Sequence, residues 1–228
     1  MNKILIPTNK PEDWKSLLAD PDKHWRTGYS AKALAYCWQE ANDFPQRVKD
    51  VFQKSGIGLF QNIELLLAFP EYKVSLPGGR RASQNDIFIL AKGKNQLISI
   101  MVEGKVSEPF DKTIAEWKSV KGKGKKTRLK FLCDILQLDE EQIDHIRYQL
   151  LHRAASAIIE ARRFTAQNAL MLVHSFSQSD EWFDDYRQFL ALFGLKGITP
   201  DSLVFARNIN GIDVYFGWVR GDERYLSK

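Results

Sequence analysis

The chain has 228 residues, of which 44% are apolar and 27% charged, with a net charge of +5. These values suit one globular domain with a sizeable core and exclude a disordered or low-complexity polymer. No apolar run is long enough to cross a bilayer, and the two cysteines and four histidines show no paired ligand spacing for a structural zinc site. The positive balance permits a polyanionic partner without requiring one.

The N-terminal "MNKILIPTNK" lacks a hydrophobic signal region before its Pro and Asn, so no export signal is read and a cytoplasmic location is expected. Cys37 and Cys133, far apart and flanked by apolar residues, are expected to be buried free thiols. "PEDWKSLLADPDKHW" predicts a short first helix ended by Asp20-Pro21. "SAKALAYCWQEAN" and "FPQRVKDVFQKSG" predict two more, the first with Leu34, Ala35 and Trp38 on one face. "LFQNIELLLAFPEY" reads as a further helix stopped by Pro70, and "EYKVSLPGG" as a short strand and turn.

"DIFILA" (86–91) and "LISIMVEGKV" (97–106), joined by "KGKNQ", predict a hairpin. "SEPFDKTIAEWKSV", "RLKFLCDILQL" and a long segment over 140–164 predict helices. "NALMLVHSF" predicts a buried strand, "DEWFDDYRQFLALFG" an amphipathic helix closed by Gly194, and "SLVFARNINGIDVYFGWVRG" a second hairpin turning at Asn210-Gly211. The expected class is α/β, a mixed central sheet with helices on both faces, because the central strands read as continuous apolar runs. No repeat or linker divides residues 1–228, so one domain is expected.

The end of the second apolar run, "ISIMVEGKVSE", carries Glu103 and Lys105 two residues apart, hence on one face of a strand. A two-residue turn at Lys94-Asn95 places Asp86 directly opposite Glu103. Neighbouring carboxylates repel unless something positive lies between them. Lys105 can help, and a divalent cation serves better, since two carboxylates with water are what Mg²⁺ accepts. The register decides this: a loop longer by one residue separates the two acids.

Asp86, sixteen intervening residues, then Glu103-Gly104-Lys105 resembles the PD-(D/E)XK nuclease superfamily, the restriction-endonuclease-like fold. The resemblance covers roughly residues 60–176, with N-terminal helices (1–58) and a C-terminal helix and hairpin (180–228) as elaborations. The Pro of the motif is missing before Asp86, where "RASQND" stands. The resemblance implies Mg²⁺ (or Mn²⁺) dependent hydrolysis of nucleic-acid phosphodiesters, with DNA as the expected partner and oligomeric state open, a homodimer included. It also implies Asp86 and Glu103 as metal ligands, Lys105 as the water-orienting group, and Glu64, on an expected first helix, as an additional acid. The alternative is a non-catalytic nucleic-acid- or protein-binding module that retains the fold.

Two basic segments are candidates for nucleic-acid contact: Arg80, Arg81, Ser83 and Gln84 in "PGGRRASQND", and Lys123, Lys125, Lys126 and Arg128 in the run "KSVKGKGKKTRLK", which has no acidic residue. The bland reading of both is a solvated loop. Gln149, His152 and Arg153 form a polar stripe on an otherwise apolar helix and can face the cleft; a core histidine beside a surface arginine is the competing expectation. A bare Glu103–Lys105 surface ion pair, worth ~0–1 kcal/mol, is the competing account of the whole motif.

Overall fold

The computed structural model describes residue 4, residues 8–120 and residues 122–228. Lys121 of the basic run, and residues 1–3 and 5–7 of the N-terminal stretch, lie outside the described residues.

A six-stranded mixed sheet forms the centre. Its strands are β1 (Glu64–Val74), β2 (Ser83–Gly93), β3 (Gln96–Lys105), β4 (Asn168–Ser175), β5 (Ser202–Ile209) and β6 (Ile212–Arg220). They lie in the order β1-β2-β3-β4-β6-β5. β1, β2 and β3 are an antiparallel meander, β4 joins β3 and β6 in parallel, and β5 closes the far edge antiparallel to β6. The C-terminal hairpin is therefore part of the one sheet rather than an appendage.

Both faces are covered, as the continuous apolar strands require. On one face lie α2 (Ser30–Ala41) and α3 (Gln46–Lys54), which with Phe44 of the loop between them bury Trp38 and Phe52 in one cluster with Ile89, Ile100 and Leu172. On the other lie α5 (Lys125–Leu136), α6 (Tyr148–Arg163) and α7 (Phe183–Ala191), packed on Phe88, Met101, Met171 and Trp218. Each fully buried large side chain of this kind contributes about 1.5–3 kcal/mol. A 3-10 helix (Pro11–Leu17), α1 (Pro21–His24) and α4 (Ile114–Ser119) are short outer pieces. Cys37 and Cys133 are buried and unbridged. Among the described residues no helix is long and apolar enough to cross a membrane.

The hairpin turn between β2 and β3 is the expected one. Lys94 and Asn95 both take positive φ, 45° and 63°, which matches the strand twist in a two-residue turn. The ladder then pairs Ile87 with Val102, so Asp86 falls level with Glu103 one step further on.

Three expectations need correction. "NIELLLAF" is not a helix: it begins β1, an edge strand, where Pro70 is tolerated because an edge residue need not donate to a second neighbour. A short apolar run fits either element, and pairing with β2 decides it. The long helix over 140–164 begins only at Tyr148, after turns. The basic run is not all loop, since Lys125, Lys126 and Arg128 open α5.

Candidate active site

Three carboxylates stand in a row across the first three strands. Glu71 lies between the pairs Pro70–Ile87 and Tyr72–Asn85, hence level with Asp86, and Asp86 is level with Glu103. Glu71 has φ 51°, and the strand changes phase there: Phe69 and Tyr72, three apart, both pack on Phe88, at 6.1 and 4.7 Å. Backbone in this region costs about 1 kcal/mol or more for a residue other than glycine, a strain that concentrates at functional positions.

Glu103 and Lys105 share the α6 face of β3 and are buried. Lys105 Nζ donates to Glu103 Oε1 at 2.8 Å and to Gln149 Oε1 at 3.0 Å, and lies 4.9 Å over the Phe110 ring. Gln149 Nε2 donates to Glu103 Oε1 at 2.6 Å. Arg153, one turn further along α6, donates through Nε to Glu103 Oε2, and its Nη2 lies 3.8 Å from Asp86 Oδ1. Asp86 Oδ2 accepts from the Gly104 amide at 2.7 Å.

Arg153 Nη1 also donates to Ser83 Oγ at 3.2 Å, and that oxygen lies 2.8 Å from His152 Nδ1. Arg153 Nη1 is 3.3 Å from the same imidazole nitrogen. Arginine can only donate, so His152 Nδ1 accepts and the ring is neutral. Burial and the neighbouring Arg153 push its pKa well down.

The charges of the row are unequal. Burial pushes Glu103 up, but Arg153 and Lys105 together outweigh it and hold the group below the usual carboxylate range. Burial raises Asp86, and Glu103 adds to the rise. Burial likewise raises Glu71, with Asp86 as the next cause and a 2.7 Å hydrogen bond from Gln84 working against it. With all three ionised, the row would carry one more negative charge than the adjacent Lys105 and Arg153 offset, and that repulsion adds to the burial that raises Asp86 and Glu71.

A cleft of about 680 Å³ opens on this row. Its other wall is the N-terminal segment, which contributes Lys23, His24, Arg26 and Tyr29. That wall was not singled out in the sequence, because nothing local marks residues 21–29 as near the hairpin.

Asp86, Glu103, Lys105, Gln149, Gln84 and the unforeseen Glu71 line this cleft. Arg153 is buried beside it, not a surface residue. Glu64 does not join them: it is exposed, opens β1 and pairs with Lys92 at the opposite end of the sheet. The helix expected to carry it does not exist, and the third carboxylate at the cleft is Glu71 of the same strand. Arg80, Arg81, Ser83, Lys125, Arg128 and His152 line a separate cavity. Lys126 lies on a third, and Lys123 is exposed.

Among the described residues, no three His, Cys, Asp or Glu side chains stand close enough to hold a metal as they are. The donor set nevertheless fits a hard divalent cation. It is all oxygen, a cation would favour the ionised forms of Asp86 and Glu71 that burial opposes, and among the described residues the one cation paired with Asp86 Oδ1 is Arg153, at 3.8 Å. Glu103 is less free, because Lys105, Gln149 and Arg153 take both its oxygens.

The model of a domain family of unknown function, DUF6946, matches residues 7–223, and the chain belongs to that family. No curated protein and no solved structure matches.

Proposed function

We propose that this chain is a metal-dependent phosphodiesterase of the PD-(D/E)XK type, acting on nucleic acid and in the first place on DNA. The observation that carries the reading is the Glu71-Asp86-Glu103 row with the Lys105 ammonium on the same sheet face, at a cleft. The order of elements also supports it: an antiparallel meander, then α6, then a strand parallel to the third. The restriction-endonuclease-like fold is part of this proposal.

Asp86 and Glu103 would hold Mg²⁺ or Mn²⁺, with Glu71 alongside. The ion would supply Lewis-acid polarisation of a phosphoryl oxygen and a more acidic bound water. The chain's own groups do the rest. Glu103 and Gln149 fix the Lys105 Nζ, which can orient the attacking water or stabilise charge on the phosphate. Gly104 holds Asp86 in place through its amide. Lys23 and Arg26, on the facing wall, contact phosphates of the strand that enters the cleft.

The test is cleavage of plasmid, single-stranded DNA and RNA with Mg²⁺ or Mn²⁺. Wild type cuts at least one, and Asp86→Asn and Lys105→Ala reduce cutting to background. No metal-dependent cleavage of any of the three would overturn the reading.

One observation favours a second reading. Glu103 is already satisfied on both oxygens, as in a structural ion cluster. A non-catalytic nucleic-acid- or protein-binding module would then retain the row without using it. In that case calorimetry shows no Mg²⁺ or Mn²⁺ binding that depends on Asp86.

A further inference from the structure

Next to the carboxylate cleft lies a second cavity, of about 520 Å³. Its lining carries five cations, Arg80, Arg81, Lys112, Lys125 and Arg128, against one acid, Asp111. Among the described residues none of the five forms an ion pair, although lysines and arginines elsewhere commonly do.

Two basic segments, far apart in sequence, meet here because of two glycines. A Cβ on Gly78, which has φ +78°, would fall 2.2 Å from the Gly124 carbonyl oxygen. One on Gly124 would fall 1.8 Å from the Gly78 oxygen. Only glycine at both positions lets the loop carrying Arg80 and Arg81 rest against the start of α5.

Arg128 ties the contact down. Its guanidinium is buried and donates to the carbonyls of Pro77 (2.9 Å), Leu76 (3.2 Å) and Gly79 (3.3 Å). Those partners are neutral, so a full positive charge remains beneath the cavity. Trp117, stacked on Tyr148 with centroids 4.4 Å apart, forms a wall. Lys125 is held over that indole at 4.7 Å and bonds the Trp117 carbonyl. Arg128 and Lys125 are thus fixed at the floor and wall of an open cavity, and Arg80, Arg81 and Lys112 stand exposed at its rim.

We propose that this cavity binds the phosphate monoester of a nucleotide, at a strand end or on a free nucleotide. A backbone phosphodiester carries one negative charge; a monoester carries about −1.5 to −2 and offers three acceptor oxygens. Five cations against one carboxylate match the monoester better, and exposed Arg80 and Arg81 suit bidentate recognition. Asp111 lines both cavities, so the two are contiguous. Ser83 lines the basic one and is bonded to Arg153, which in turn bonds Glu103. A strand whose terminal phosphate fills the basic cavity would therefore run its chain toward the carboxylate row. The strand-end version rests on the nucleic-acid reading above; the monoester pocket itself does not.

The experiment is binding in EDTA, where no cleavage can occur. Probes are a short single-stranded oligonucleotide with a 5′-phosphate, with a 3′-phosphate and with neither, and adenosine 5′-monophosphate beside adenosine. At least one phosphorylated probe is expected to bind about ten-fold or more tightly than its unphosphorylated counterpart, the worth of a charge-assisted contact. The Arg80→Gln/Arg81→Gln double variant should lose that preference, and Asp86→Asn should keep it. Both arginines are exposed, so the double variant should fold, which circular dichroism checks. Preference among the oligonucleotides assigns a strand end; preference only for the mononucleotide assigns a free nucleotide. No preference for any phosphorylated probe, or one that survives in the double variant, overturns the proposal. Loss of metal-dependent cleavage with the preference intact would sink the phosphodiesterase reading alone.

Discussion

The Gly104 amide donates a 2.7 Å hydrogen bond across the hairpin to Asp86 Oδ2. It fixes one carboxylate oxygen at the sheet's end and leaves the other, Oδ1, toward Arg153 at 3.8 Å. The same glycine is pressed from the opposite side. A Cβ there would meet Leu34 Cδ2 of α2 at 3.2 Å and Asp86 Oδ2 at 3.3 Å.

Gly104→Ala should therefore both loosen the α2 contact and push Asp86 off its amide. Overpacking of this size costs about 1 kcal/mol or more, which in a chain of this length lowers Tm by about 2–4 °C. Thermal melts check the stability effect, and calorimetry with Mn²⁺ checks the site. An alanine variant with unchanged Tm would show that the contact has slack.

Chemically identical changes at the two opposed acids should have unequal effects on stability. Glu103→Gln removes the partner of two buried cations, Lys105 and Arg153, and breaking a buried pair in this way costs about 3–5 kcal/mol. Asp86→Asn removes a carboxylate that burial and Glu103 already push toward its neutral form, so metal-free stability should hold or rise. Urea denaturation in EDTA reads both. Equal destabilisation by the two variants would mean that Asp86 is held as a charge after all.

How much of this site a sequence reveals depends on where its partners lie. The Asp86-Glu103-Lys105 geometry was legible because one short hairpin contains it, and Lys94-Asn95 sets the register locally. Glu71 was not, because "NIELLLAFPEYKV" is apolar enough for either element and only pairing with β2 makes it strand. Pro70 looked like a helix stop; as an edge-strand residue it was also the available clue to β1. Burial of Arg153 depends on Glu103, fifty residues away, and helical periodicity alone cannot distinguish that from a surface arginine. The meeting of Gly78 with Gly124 is likewise tertiary, so the two basic segments read as separate loops.

The two cysteines should be silent in the folded protein. Burial pushes both thiols up to about 12, so the reactive thiolate is nearly absent at pH 8. A disulfide reagent that releases a chromophore should titrate neither at pH 8 in buffer and both in guanidinium. Rapid modification of either in buffer would mean that α2 or α5 opens locally.

The last prediction concerns His174, in β4 beside Gly104. It is fully buried, its Nδ1 accepts from Trp38 Nε1 at 3.1 Å, and Phe176 lies 4.6 Å away. Burial lowers its pKa from 6.5 to about 3. Above pH 6.5 the ring is neutral folded or unfolded and contributes nothing to pH dependence. Below it the unfolded chain takes up a proton that the folded one refuses. Stability then falls by up to about 1.4 kcal/mol per pH unit, until about pH 3. Half-buried His152, its pKa also lowered, acts in the same direction, while Glu71 and Asp86, both raised, act in the opposite one. The isolated effect is therefore the difference between wild type and His174→Gln, whose amide oxygen can still accept from Trp38. Between pH 6.5 and 4.5 wild type should lose more stability than the variant, by about 2 kcal/mol over the interval. Parallel stability curves for the two proteins would mean that the imidazole takes up its proton without unfolding.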